Sequence, residues 1–334
     1  MNRYLVETNR FSLDQFCFSA KALKWNPTQK RKYRDVIDAF RTVCWFHELR
    51  IRNGVRSTHA LEKLIEPETL KKSSIGEPYR HNKWKDYRLG KHTPRKGVIL
   101  KAENITAGSK EIFNHVLWDA LRLNLPIKQH VDQWLNRLTL EVQTLLFEYP
   151  QTRQTHGYRK RRKLTSQAFE AIERQSGLSA LACLTILIRE AHEDGDKEYA
   201  YQVGFRLCRM LLLTEQDFFS YKIAQALYDF YELYILPLGV YKGLYHSYLN
   251  TDFLYIAGRL CDALYHIKGI SFHQMSNLER KQYEQRILGL HYGSDYFEMF
   301  KPAQIAADSI VRQSKEFQQY LKVQTDIRNW AISA

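Results

Sequence analysis

Apolar residues recur every three to four positions along most of this chain, the spacing that lines one face of a helix. From Thr28 to about Ile51, such a stripe runs through Val36, Ile37, Phe40, Val43 and Cys44. Asn26-Pro27 opens this segment and Asn53-Gly54 ends it, as expected of Pro near a first turn and Gly past a last one. A shorter helix is predicted from Ser57 to Ile65, broken at Glu66-Pro67. From Ser109, the positions Ile112, Val116, Leu117, Ala120 and Leu121 predict one helix ending near Asn124. Another follows Pro126, with Ile127, Val131, Trp134, Leu135, Leu138, Val142, Leu145 and Leu146 in helical register, and stops before Pro150.

Past a polar linker, Gln151 to Lys163, the pattern is helical throughout. Helices are predicted over Thr165–Ser176, with Thr165 as cap, over Leu178–His192, which is nearly continuous in apolar residues, and over Lys197–Leu213. Thr214 with Asp217 suggests a fresh start running to Ile235. Asn250 or Thr251 caps a helix to Lys268, where Gly269 stops it, and Ser276-Asn277-Leu278-Glu279 matches a capping box. The last helix is expected from about Pro302 towards Trp330. Short turns between helices imply antiparallel neighbours, hence a bundle or stacked pairs. The expected fold class is mainly α: a basic, mostly helical part over 1–150, a basic linker over 151–163, and a helical bundle over 164–334. Residues 1–25 show no clean period and read as an irregular arm or a short strand.

One stretch departs from the helical pattern. Glu77 to Lys101 is punctuated by Pro78, Gly90, Pro94 and Gly97, just after Gly76, and is expected to be a loop or twisted hairpin. Val98-Ile99-Leu100 is its candidate strand. Arg80, Lys83, Lys85, Arg88, Lys91, Arg95, Lys96 and Lys101 face only Glu77 and Asp86, with Tyr79, Trp84 and Tyr87 set among them. Cations neutralise phosphates, and exposed rings offer a face on which unpaired bases stack.

Charge sharpens this picture. The chain of 334 residues carries a formal +14, but residues 1–163 hold 33 Lys and Arg against 16 Asp and Glu, whereas residues 164–334 hold 17 against 20. The basicity belongs to one half, the footprint of a polyanion-facing part. Arg159, Lys160, Arg161, Arg162 and Lys163 form a second cationic run, suited to phosphate contact rather than base reading. Lys30, Arg31, Lys32 and Arg34 put the wrong sign at the start of the first long helix, a conflict that a bound phosphate would remove and that a solvated face also accommodates.

These features predict a nucleic-acid-binding protein without catalysis, part of a larger nucleoprotein assembly, with RNA or single-stranded DNA preferred to duplex. The neutral helical half, with its tyrosines from Tyr221 to Tyr255, is either core or a surface for a protein partner. One alternative is a protein scaffold with no nucleic-acid contact. The other rests on the spacing Arg-x(4–6)-His at Arg41/His47, Arg259/His266 and Arg286/His291, which resembles the motif of HEPN-type ribonucleases. That resemblance implies a helical enzyme in which an Arg and a His act on an RNA phosphodiester.

Other chemistries find little footing. The five cysteines are far apart without a CxxC pair, so neither zinc nor a disulfide framework is expected, and a reducing, intracellular setting (cytoplasmic, nucleoid or nuclear) fits. The acidic turn Glu190 to Glu198 lacks the ligand order of a calcium loop. No phosphate-binding glycine loop or nucleophile elbow is present, no cofactor is implied, and no run is long enough to span a bilayer.

Overall fold

The computed structural model describes residues 12–24, 34–69, 83–148, 160–161, 164–248, 253–269, 274–289 and 291–307, and is mainly α-helical. In chain order the elements are α1 (Leu13–Ala20), β1 (Ala22–Leu23), β2 (Arg34–Asp35), α2 (Val36–Arg52), α3 (Thr58–Ile65), α4 (Lys83–Arg88), α5 (Lys96–Ile105), α6 (Ser109–Phe113) and α7 (Val116–Ala120). There follow α8 (Val131–Leu135), α9 (Leu140–Leu146), β3 (Phe147–Glu148), β4 (Lys160–Arg161), α10 (Ser166–Gln175), α11 (Gly177–Asp194) and α12 (Lys197–Ser220). The remainder is α13 (Ala224–Phe230), β5 (Leu244–Ser247), α14 (Phe253–Lys268), α15 (Asn277–Leu288), α16 (Ser294–Phe300) and β6 (Ala303–Ala306). Among the described residues no helix is long and apolar enough to cross a membrane.

Contacts divide the chain into two compact units, Met1–Leu125 with Gln216–Phe230, and Pro126–Glu215 with Tyr231–Ala334. The expected linker, 151–163, is thus not where this division falls, and of it only 160–161 are described.

In the first unit α2 is the central element. The apolar stripe read from the sequence, continued through Phe46 and Leu49, is buried, and Trp45 is buried beside it. The helix begins at Val36, later than the Asn26-Pro27 signal implied for 28–51. Its cap is the Asp35 carboxylate, which accepts the Ile37 N–H at 2.9 Å, and Asp38 lies in the first turn. Negative groups there suit the helix dipole, so the supposed conflict of sign is absent. Arg34 is turned onto the helix itself: its guanidinium donates to the Asp38 carbonyl (2.8 Å) and the Thr42 hydroxyl (2.9 Å). Lys30, Arg31 and Lys32 lie outside the described residues. Arg122 bridges Asp35 (3.0 Å) and Asp38 (2.8 Å), locking the chain after α7 to the head of α2.

The helix expected over 109–124 is two helices, because the His115 ring nitrogen takes the Leu117 N–H and caps a new start after Asn114. Similarly, α8 and α9 replace one helix after Pro126, with Asn136 to Thr139 between them.

In the second unit α11 is the buried element, packed by α8, α9 and α10. Its near-continuous apolar run is buried from Ser179 to Arg189, as the sequence pattern required. Thr165 caps α10 and Ser276 with Glu279 forms the capping box of α15. Thr214 does not open a helix. Inside α12 its hydroxyl donates back to the Met210 carbonyl at 2.8 Å, the usual behaviour of a mid-helix Thr. Residues 303–306, expected in a final helix, form β6, which pairs antiparallel with β5. Residues 308–330 of that segment lie outside the described residues.

Candidate nucleic-acid interface

Among its described residues, 83–101, the stretch singled out for chemistry folds mostly as helix, and not as a hairpin. Lys83–Arg88 is α4, and Val98-Ile99-Leu100, the candidate strand, lies inside α5. The reason is amphipathic spacing that the glycines and prolines mask. Trp84 and Tyr87 are three apart, so they share a face, and that face packs on α2. Val98, Ile99 and Ala102 form the buried face of α5, which joins the same core beside α3 and α6.

This packing overturns the stacking role expected of two aromatics. Trp84 is 0% exposed and Tyr87 3%. Trp84 stacks on Trp45 (centroids 5.9 Å, 20° between planes) and meets Tyr87 edge-on at 5.5 Å. Its indole N–H donates to the Glu66 carboxylate at 3.0 Å, and Lys83 pairs with the same carboxylate at 2.6 Å. Burial, with Glu66 beside it, pushes the Tyr87 hydroxyl up to about 12. An indole needs its N–H satisfied when buried, and Glu66 does that from the end of α3. Neither ring can meet a base.

The cations behave differently. Lys85, Arg88, Arg95 and Lys96 are exposed and Lys91 half-exposed, and none pairs with a carboxylate among the described residues. Asp86 faces His92 instead (3.5 Å), and Lys101 pairs with Glu68. Helix α5 starts at Arg95 and Lys96 with no side-chain cap and no acid in its first turn, so its N-terminal N–H groups and two cations share one end. The connection between α4 and α5 is held against α2 at Gly90, whose φ is +70°. A Cβ there would meet Ala39 Cβ and Val43 Cγ2, each at 3.1 Å. Tyr79 and Arg80 lie outside the described residues.

The second cationic run is less available. Arg159, Arg162 and Lys163 lie outside the described residues, and Lys160 is described only by its backbone pairing with Glu148 in β3. Arg161 is a structural cation: its guanidinium makes a two-pronged pair with Glu190 of α11. That pair raises the Arg161 pKa despite burial. Neighbouring acids are similarly occupied. Glu193 accepts the Ile127 N–H (3.0 Å) and Asp194 pairs with Lys128 (2.9 Å). Among the described residues, no group of three His, Cys, Asp or Glu is placed to hold a metal.

The Arg/His pairs can be read residue by residue. Arg41 and His47, six apart on α2, point about 120° away from one another at 100° per residue. Arg41 pairs with Asp38 at 2.8 Å and lies over the Phe113 ring at 4.6 Å. Arg259 pairs with Asp262 (3.5 Å), and Arg286 lies over Tyr283 (5.6 Å). His47 is 3% exposed with no hydrogen-bond partner at Nδ1 among the described residues. Burial first, then the charges of Arg50, Lys222 and Arg88, bring its pKa down to about 3. Arg50 and Lys222 carry no signal in the sequence, since Lys222 is remote from the other two and isolated in charge. Comparisons with protein-family models, curated proteins and solved structures find no match for this chain.

Proposed function

We propose that this protein binds nucleic acid through the phosphate backbone, on the face formed by Lys85, Arg88, Lys91, Arg95 and Lys96. The observation that carries the reading is the set of five cations, exposed or half-exposed, without carboxylate partners among the described residues. A solvated basic surface ordinarily intersperses both signs of charge. The uncapped N-terminus of α5 adds N–H donors where Arg95 and Lys96 stand, a combination suited to a phosphate oxygen. With Trp84 and Tyr87 in the core, affinity comes from charge and not from stacking, so it is steep in salt and tolerant of sequence.

The second unit supplies the link to a larger assembly in this reading. Tyr255, Tyr265 and Leu278 are exposed on α14 and α15, in the part of the chain without excess positive charge, where a protein partner would sit without competing for the nucleic acid.

The test is fluorescence anisotropy with single-stranded RNA, single-stranded DNA and duplex DNA across a salt series. Replacing Lys85, Arg88, Arg95 and Lys96 by Ala is expected to lower the slope of log affinity against log salt by roughly 3, at 0.7–0.9 per cation. Absence of binding to all three at low salt, or a slope unchanged by the four substitutions, refutes the proposal. Shortening of the RNA during the titration, abolished by a substitution in one Arg/His pair, would instead establish a nuclease.

A further inference from the structure

We infer that Arg50, Arg88 and Lys222, gathered over the buried His47, form a discrete phosphate-binding site in the first unit. The inference rests on the nucleic-acid reading above and extends it to residues outside the basic stretch. Three separate elements build the cluster. Arg50 lies one turn beyond His47 on the same face of α2. Helix α4 brings Arg88 against α2 through the packing of Trp84 on Trp45 and Phe46. The turn after α12 brings Lys222, and Tyr221 ties that turn to α2 by donating its hydroxyl to Glu48 at 2.7 Å.

The arrangement has a physical oddity that a ligand would resolve. Three cations act on one buried imidazole, and none of the three has a carboxylate partner among the described residues. Glu48, the acid at hand on α2, is engaged by Tyr221 and by Arg52 at 3.9 Å. The Arg50 Nε and the His47 Nδ1 are both buried without a hydrogen-bond partner among the described residues. Buried polar atoms are normally satisfied, and an exception calls for an explanation such as an absent ion. A phosphate group answers each point together. Its charge offsets that of the cations acting on His47, its oxygens accept from guanidinium and ammonium, and a neutral imidazole can donate its N–H to it.

The phosphate could belong to a polynucleotide or be a free one, and the experiment separates them. The ring protons of His47, assigned by comparison with His47→Gln, are followed by NMR through a pH titration of the full chain. The titration is run alone, with inorganic phosphate, and with a single-stranded oligonucleotide. Either anion at the site is expected to raise the His47 pKa by a unit or more. Changing Arg50 and Lys222 together to Met is expected to raise it without any anion, by removing repulsion, and to abolish the response to anions. The double change should also lower the salt slope of oligonucleotide binding by roughly 1.5.

If the oligonucleotide binds with its slope unchanged by Arg50→Met and Lys222→Met, and His47 does not respond, the site is refuted while the broader reading stands. If no oligonucleotide binds but inorganic phosphate moves His47 in an Arg50- and Lys222-dependent way, the site stands as one for a free phosphate and the nucleic-acid reading fails. No response to either anion overturns the inference.

Discussion

Trp84 offers the sharpest separation between a binding ring and a core ring. Replacing it with Phe keeps most of the apolar volume and the contact with Trp45, but removes the N–H that the Glu66 carboxylate accepts at 3.0 Å. A hydrogen bond to a charged group contributes about 1.5–3 kcal/mol. Because Lys83 still pairs with Glu66 at 2.6 Å, the carboxylate is not stranded, and the lower part of that range, about 1.5–2 kcal/mol, is expected. Trp84→Ala removes the ring as well. With the side chain 0% exposed and rings from Trp45, Phe46 and Tyr87 around it, the loss should reach about 3–5 kcal/mol, much of the stability of an ordinary domain. Urea denaturation, followed by far-ultraviolet circular dichroism, reads both variants through the midpoint at constant slope. Folded Trp84→Phe should bind oligonucleotide like the parent. The reasoning is refuted if Trp84→Phe keeps full stability yet loses affinity, since the indole would then be a ligand surface after all.

Three further outcomes can be checked in the same way. Arg161→Met should destabilise the protein by about 1–3 kcal/mol in urea, because it strands Glu190, which is only part-buried, and should leave the salt slope of oligonucleotide binding unchanged. His47 and His246 are held neutral in the fold, with pKa values down to about 3 and about 4, mainly by burial. The unfolded chain binds protons below about pH 6.5 where the folded one does not, so their contribution is full above pH 6.5 and is lost as pH falls towards those values. Stability should therefore drop by about 1–2 kcal/mol per histidine between pH 6.5 and 5, and His47→Gln should flatten that dependence in denaturation series at each pH. Tyr231→Phe should cost about 1 kcal/mol by removing the buried contact of its hydroxyl with Thr185 (2.8 Å), with Thr185 retaining the Leu181 carbonyl, again read from the urea midpoint.

The sequence pattern was most legible where a local rule has one solution. Ser276 with Glu279 three residues on, Thr165 before an apolar period, and the long apolar run of α11 each specify an element without help from the rest of the chain. It was least legible between Gly76 and Gly97, where turn-forming residues are dense enough to hide two helices. Among the described residues, Gly90 follows the end of α4, Pro94 sits just before the start of α5 and Gly97 lies in its first turn. Trp84 and Tyr87 looked like recognition rings because their neighbours are cations. The helix separates them by side: i and i+3 go inward, while Lys85 goes out and Arg88, one turn on from Trp84, lies exposed at the edge of the packed face. Composition cannot see that division, which depends on knowing that the segment is helical. The breaks after Asn114 and Asn136 were hidden for the opposite reason, since apolar spacing continues through them. Lys222 lay beyond reach altogether, because its neighbours come from a different part of the chain.

Gly90 gives the exposed cations a property that free loops lack. Resting against Ala39 and Val43 with no side chain between, it sets Arg88 on one side and Lys91 on the other at fixed offsets from a long helix. The charges are preorganised. Backbone freedom at this corner is lost when the protein folds, so in the proposed reading a bound phosphate would not have to order it again, as it would a mobile lysine-rich tail. Because the offsets come from a backbone contact, the geometry of this charged corner can be altered at constant net charge by adding one methyl group at position 90.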